Sequence, residues 1–189
     1  MPKPNRRLSG ETGSTPIRHY TSSKAWDEFY NLIGRIVVTI NSAHWCVFEM
    51  MGILLNTSRE DTTPIYYSLK ADAAQRDLTL AIMSDRLSEP SEADLAKRIS
   101  ITINDLGKAS GLRNAFIHTH WSMEWGNDKL VVTDGKPHPK LRMDDLFGQG
   151  SELLATLDEI IDRLLAHCDE LEETPSVQKL RTRMSSNRT

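Results

Sequence analysis

Apolar side chains recur at intervals of three and four residues from about residue 22 to residue 54, a spacing typical of one face of an α-helix. This pattern predicts a single helix of about nine turns, far longer than the average globular helix. We expect so long a helix to span the whole domain. One histidine falls in the pattern, and we interpret it as a buried or interface side chain rather than a ligand. The positions are Trp26, Phe29, Ile33, Ile36, Ile40, His44, Val47, Met51 and Leu54.

Two further helical patterns follow. The first begins at Thr63 and Pro64, where a capping residue precedes a proline at the first helical position. The second begins near Ser91, which has capping-box spacing with Asp94. It is interrupted at Gly111, and because a glycine inside a helix costs about 1 kcal/mol relative to alanine, we expect a kink or a short break there. The apolar face of the first of these patterns comprises Ile65, Leu69, Ala73, Arg76, Leu80, Met83 and Leu87.

The last third of the chain combines a short β pattern with one more helix. Apolar and polar residues alternate over residues 121–132 on both sides of a Gly-Asn-Asp stretch, which predicts a β-hairpin. After a loop over residues 134–142, a helical pattern runs from Leu153 to Leu171 and is ended by Pro175. The sequence therefore predicts an all-α fold, an up-and-down bundle of four to five helices with a small β-hairpin inserted before the last helix.

Charge is distributed unevenly along the chain. The net charge is −3, yet residues 1–20 carry four basic residues against one acidic residue, and residues 175–189 carry four basic residues and no acidic one. We interpret these two segments as disordered basic tails and residues 21–174 as one acidic helical domain. An acidic body disfavours extended binding along a nucleic-acid backbone, which needs many phosphate contacts. It remains compatible with a small local anion site.

Composition favours a cytoplasmic protein. Apolar residues make up 39% of the chain and charged residues 26%, ordinary values for a soluble globular protein. No run approaches the roughly 20 apolar residues of a membrane span, and the basic N-terminus is not followed by the apolar stretch of a secretory signal. Cys46 and Cys168 lie in apolar helical patterns and are interpreted as core or interface side chains in a reducing compartment. We expect no membrane association.

The densest group of chemically useful side chains lies in GLRNAFIHTHW, residues 111–121. Arginine is a permanent planar cation suited to phosphate oxygens, and histidine both takes and gives protons near neutral pH. Together they can support phosphodiester cleavage without a metal. The base takes the proton of a ribose 2′-OH, and the cation stabilises the charged phosphorane. Arg113 and His118 are the candidate pair.

These two side chains do not face the same direction on a helix. At 100° per residue, positions five apart lie about 140° from each other, whereas Asn114 and His118, four apart, lie on one edge. A symmetric dimer resolves the problem, because the same helix of a second chain brings its own arginine and histidine across a groove. We therefore expect Arg113 and His118 to form a composite site at a two-fold axis.

The run RNAFIH, residues 113–118, resembles the signature of the HEPN superfamily, which is an arginine, a polar residue, three more residues and a histidine. The similarity in helical order covers about residues 24–172 and, beyond the motif, is one of pattern. HEPN proteins are compact α-helical bundles, commonly homodimers, and many are metal-independent endoribonucleases of toxin–antitoxin, abortive-infection and other defence systems. The resemblance therefore implies a homodimeric ribonuclease that uses no metal or other cofactor.

Carried over residue by residue, the resemblance implies that Arg113 and His118 are the catalytic pair and that Asn114 orients them. Lys108 and His120 lie outside the motif, and we add them from proximity as RNA-phosphate contacts. The hairpin after the motif is an elaboration that shapes substrate access or the dimer. RNA is the implied substrate, and an antitoxin or a nucleotidyltransferase is a further partner to consider.

Other interpretations of the same residues stay open. A HEPN-like module without activity would bind a partner protein or a nucleotide. Arg113 would then be a salt-bridge residue, and His118 and His120 would be helix-terminal residues favoured by the helix dipole. The two histidines with Glu124 or Asp128 also suggest a metal, but no third ligand has a convincing spacing.

Overall fold

The computed structural model describes residues 24–124, 129–133 and 137–186. Within these residues, six α-helices, a short 3₁₀ turn and a two-stranded sheet follow one another, which confirms a mostly helical fold with a small hairpin. The tail predicted over residues 1–20 lies outside the described residues. The elements are α1 (Lys24–Leu55), α2 (Arg59–Tyr67), α3 (Asp72–Arg86), the 3₁₀ turn (Pro90–Glu92), α4 (Ala93–His118), β1 (Trp121–Glu124), β2 (Lys129–Val132), α5 (Leu146–Glu173) and α6 (Pro175–Ser186).

The helix α1 is the centre of the fold, and its predicted extent is confirmed. It packs most extensively against α5 and also contacts α2, α3 and α4. Gly150 of α5 permits this close approach, because a Cβ there would lie 2.5 Å from a terminal carbon of Leu32. The helix α1 is long and apolar enough to cross a membrane, but the core helices of soluble proteins meet the same criterion. Its buried residues are Phe29, Leu32, Ile36, Ile40, Ala43, Cys46, Val47, Phe48, Met50, Met51 and Leu54.

The segment between α1 and the 3₁₀ turn forms two helices where one was predicted. The helix α2 begins directly after Ser58, whose hydroxyl oxygen accepts a hydrogen bond from the backbone N–H of Asp61 at 3.2 Å. Pro64 therefore lies inside α2, and the predicted start at Thr63 is wrong. A break then separates α2 from α3.

The helix α4 runs without interruption through Gly111, so the predicted kink or break is wrong. Residues on both sides of the glycine are buried, including Ala109 and Phe116. Their packing offsets the glycine's backbone cost of about 1 kcal/mol, because tertiary contacts supply most helical stability in proteins. The arginine and histidine of the RNAFIH run thus belong to one continuous helix.

The chain continues after Pro175 as the helix α6, so the disordered tail predicted for residues 175–189 needs correction. Proline is well suited to the first position of a helix, where its missing N–H costs nothing. Val177 is fully buried, and the Glu92 carboxylate accepts hydrogen bonds from the backbone N–H and the hydroxyl of Ser176, at 3.0 and 2.7 Å. The capping box predicted at Ser91 is also wrong, since Glu92 is the N-cap of α4 and makes no side-chain cap bond.

The predicted hairpin is confirmed: β1 and β2 pair antiparallel, with Trp121 opposite Val132. Its turn, residues 125–128, lies outside the described residues. The Trp121 ring centroid lies 4.9 Å from that of Phe29 on α1, and its Nε1 donates to the Phe116 carbonyl of α4 at 2.8 Å. Trp121 therefore joins the hairpin to both helices next to the motif.

Both cysteines are core residues, as predicted. Cys46 and Cys168 are buried and not disulfide-bonded, and the Cys168 thiol donates to the Cys46 carbonyl at 3.8 Å. Burial raises the pKa of the Cys168 thiol to about 12. The thiol is therefore protonated and unreactive at neutral pH.

Candidate functional site

Arg113 lies near the C-terminal end of α4 and contacts the start of α3. Its Nη2 donates to Oδ2 of Asp72, the first residue of α3, at 2.7 Å. The arginine side chain is 20% exposed. A charge-assisted hydrogen bond in such a partly buried position is screened less than a surface ion pair. Arg113 is therefore held in place by a residue that lies 41 positions earlier in the chain.

Three more polar side chains surround this ion pair where α1, α3 and α4 meet. His44 of α1 places its Nε2 3.5 Å from Oδ2 of Asp72 and 3.5 Å from Oγ of Ser110. Arg76 of α3 donates its Nη1 to the same Ser110 oxygen at 3.5 Å. These contacts join three helices through polar groups. We call His44, Asp72, Arg76, Ser110 and Arg113 the arginine cluster.

The arginine cluster carries more positive than negative charge. Two guanidinium groups, of Arg76 and Arg113, accompany one carboxylate, that of Asp72. Burial lowers the pKa of His44, the two guanidinium groups lower it further, and the Asp72 carboxylate opposes them. The imidazole is therefore neutral at pH 7. Among the described residues, Nδ1 of His44 and Nε of Arg113 are buried without a hydrogen-bond partner, which leaves the cluster with polar atoms that a ligand can satisfy.

The lowered pKa of His44 predicts a loss of stability in acid. A histidine with a folded pKa below its ordinary value near 6.5 contributes stability above that value and loses it as the pH falls through the folded pKa, because the unfolded chain binds the proton more readily. We expect His44→Gln to flatten the decline between pH 7 and pH 5 by up to about 1.4 kcal/mol per pH unit. Urea unfolding at each pH measures this slope. His138, an exposed histidine in the loop before α5, offers the control substitution His138→Gln. If the free energy of unfolding changes with pH equally in His44→Gln and the wild type, His44 is not the source of the acid sensitivity.

His118 is the last residue of α4 and lies on a different side of that helix from Arg113. The two positions are about 140° apart around the helix axis. His118 is exposed, whereas Arg113 faces the arginine cluster. Asn114 is also exposed and lies about 40° from His118. Within one chain, the predicted catalytic arginine and the predicted catalytic histidine therefore lie on different sides of α4.

Lys108 and His120 occupy different parts of the surface. Lys108 lies in a groove between α4 and α5, where its Nζ donates to Asp105 at 2.9 Å and lowers the pKa of that carboxyl. His118 is ten residues farther along the helix, or about 15 Å along its axis. His120 is exposed in the connection between α4 and β1. The structure therefore brings His120 to the His118 end of α4 and leaves Lys108 on another face.

Sequence reasoning missed Asp72 and Ser110 as parts of the site. It placed His44 and Arg76 at apolar positions of predicted helices and gave neither a functional role. An ionisable side chain that is partly buried needs a polar partner. The presence of His44 and Arg76 at apolar positions was therefore the signal in the sequence that a polar cluster lies between these helices. Ser110 also lies three residues before Arg113 and so shares its face of α4.

The described residues contain no group of three or more histidine, cysteine or acidic side chains that could hold a metal ion. Asp128, one of the acids considered with the two histidines of the motif, lies outside the described residues. Comparison with protein-family models, with curated proteins and with solved structures found no match for this chain.

Proposed function

We propose that this chain is a cytoplasmic, metal-independent endoribonuclease of the HEPN type, a homodimeric helical bundle in a toxin–antitoxin or other defence system. The observation that carries the proposal is the arginine cluster. The arginine of the RNAFIH run is the one that α3 holds through a 2.7 Å ion pair, with a second guanidinium group nearby. A fixed, partly buried cation suits stabilisation of developing negative charge, because no reorganisation is needed during the reaction.

The proposed reaction is transesterification within the RNA. His118 takes the proton of the ribose 2′-OH as O2′ forms a bond to phosphorus. The bond between phosphorus and O5′ breaks, and the same His118, now protonated, gives its proton to the leaving oxygen. Arg113 stabilises the extra negative charge on the phosphorane, and Asn114 positions the reacting groups. The products are a 2′,3′-cyclic phosphate and a 5′-hydroxyl.

A homodimer is part of the proposal because one chain separates the two catalytic groups. Ile117, which lies between Arg113 and His118 on the surface of α4, is an exposed large apolar residue. An interface between two copies at this face of α4 would bury the Ile117 side chain. Contact between two copies at Ile117 would place Arg113 of one chain near His118 of the other. His120 would then contact RNA phosphate at the same groove, whereas Lys108 would reach only a more distant part of the strand.

The experiment is incubation of the purified chain with a mixed pool of RNA in the presence of EDTA, followed by analysis of the product ends. We expect cleavage that resists chelation and yields cyclic phosphate and 5′-hydroxyl termini. His118→Ala protein purified in parallel controls for contaminating ribonucleases, which can give the same termini. Cleavage that disappears with EDTA, or products with 5′-phosphate ends, would contradict the proposed mechanism.

A non-catalytic interaction module is the second candidate. The observation that favours it is the Arg113–Asp72 ion pair, because Nη2 of the arginine already donates to the carboxylate and is not free for a phosphate. Such a module would bind a nucleotidyltransferase, an antitoxin or another partner protein. Absence of RNA cleavage by the wild type in the experiment above would favour this candidate.

A further inference from the structure

A recess lies beside the arginine cluster, between α1, α2 and α3. Its volume is about 630 Å³, within the range of about 300–1,000 Å³ typical of small-molecule sites. His44 and Asp72 line it, and both also belong to the arginine cluster. A ligand in the recess would therefore lie next to the residues that hold Arg113.

Two exposed aromatic rings border this recess. Trp45 is 44% exposed and Tyr67 is 54% exposed. Both rings rest on the buried Phe48, with centroids 4.9 and 5.9 Å from its ring and planes tilted by 38° and 33°. Phe48 thus supports both rings and leaves much of their surface open. Supported, exposed rings of this kind are the platforms on which unpaired nucleobases stack.

Charge and polarity around the rings also suit a nucleotide. The exposed Lys70 lies on the rim of the recess. Outside the recess, the Arg59 guanidinium lies over the Trp45 ring, 5.3 Å from its centroid, and forms an ion pair with Glu49 at 2.9 Å. The Lys70 ammonium is available to a phosphate group. The buried Nδ1 of His44, which has no hydrogen-bond partner among the described residues, is a polar atom that the edge of a base could satisfy.

We propose that this recess is a base subsite, which binds an unpaired base of single-stranded RNA stacked on Trp45 and Tyr67. Its role in cleavage rests on the proposed nuclease function, because the base would be held next to the phosphate that Arg113 stabilises. Binding itself does not require cleavage. The base subsite also gives the acidic body a local contact with RNA that does not depend on a long basic surface.

The test uses a fluorescein-labelled single-stranded DNA oligonucleotide, which lacks the 2′-OH and cannot be cleaved by the proposed mechanism. Fluorescence anisotropy measures its binding to the full chain. We expect Trp45→Ala and Tyr67→Ala to weaken binding about 5- to 150-fold, the effect of losing one stacked base. Trp45→Phe and Tyr67→Phe keep a ring and should stay within about threefold of the wild type. A DNA duplex of the same sequence should compete poorly, because its bases are already stacked.

Matched variants separate stacking from misfolding. Tyr30→Ala removes another exposed tyrosine, on α1 but outside the recess, and should leave binding unchanged. Circular dichroism checks the fold of each variant. If an alanine variant does not fold, Lys70→Glu on the exposed rim tests the same site and should also weaken binding. Equal binding by the wild type and all folded recess variants, or equal competition by duplex, would overturn the base subsite in favour of a recess for a protein partner.

The same variants distinguish this inference from the nuclease proposal. Oligonucleotide binding that depends on Trp45 and Tyr67, without any RNA cleavage, would sustain the base subsite and remove the nuclease. RNA cleavage at equal rates by the wild type, Trp45→Ala and Tyr67→Ala would leave the nuclease proposal standing and remove the role of the base subsite in cleavage.

Discussion

Replacement of His118 by alanine is expected to lower the rate of RNA cleavage by about 10²- to 10⁴-fold, the usual contribution of a general acid–base group. The side chain is exposed at the end of α4, so its removal should change the free energy of unfolding by less than about 0.5 kcal/mol. The fall in rate would then report chemistry and not unfolding. Initial rates on one defined RNA, with thermal melting of each protein, measure both quantities.

The chain offers a matched control for this substitution. His138 is an exposed histidine in the loop before α5, and His138→Ala removes the same side chain from a different surface. We expect it to cleave at the wild-type rate. Two results would contradict the catalytic assignment of His118: a wild-type rate in His118→Ala, or an equal loss in both variants.

The fold shows how far local pattern can predict this chain. The apolar pattern centred on Ile36, Ile40 and Val47 predicted α1 to within about two residues, because burial along one side of a long helix requires that spacing. The start of α2 was predicted five residues late, because both Ser58 and Thr63 satisfy the local rules for a helix cap. Only the hydrogen bond from Asp61 to the Ser58 hydroxyl identifies the cap that is used.

Long-range packing decided the features that local pattern missed. Gly111 has the local chemistry of a helix break, yet buried residues on either side keep α4 intact. The basic composition after Pro175 suggests a tail, yet burial of Val177 and the bonds from Ser176 to Glu92 fix α6 to the rest of the fold. The helices that pack against α4, and the Glu92 partner of Ser176, lie far away in the sequence, so the pattern of a single sequence does not record them.

The candidate site divides in the same way. The RNAFIH run predicted Arg113, Asn114 and His118 as site residues, and helix geometry predicted that the arginine and the histidine diverge. The partners of Arg113 could not be predicted, since Asp72 lies on α3 and His44 on α1. The arginine is held by elements packed against α4, and the histidine projects from the helix end. This difference makes the dimer the decisive question about the site.

Mixing two inactive variants should restore cleavage if the active site is shared between chains. One variant carries Arg113→Gln, which removes the cation but retains an amide that can donate to Asp72, and the other carries His118→Ala. Each homodimer should be about 10²-fold or more less active than the wild type, because every site lacks one catalytic group. In a mixed dimer, one of the two sites takes its arginine from the second variant and its histidine from the first, so that site is intact.

The expected recovery follows from the symmetry of the dimer. Random exchange in a 1:1 mixture makes about half of the dimers mixed, and each mixed dimer has one intact site of two, so activity should rise to about a quarter of the wild-type value. Native mass spectrometry confirms exchange when one variant is isotope-labelled. If exchange occurs and activity stays at the level of the separate variants, the arginine and the histidine act within one chain or do not act at all. Recovery requires a site in which each chain supplies the group that the other lacks, because α4 directs Arg113 and His118 to different sides of one protomer.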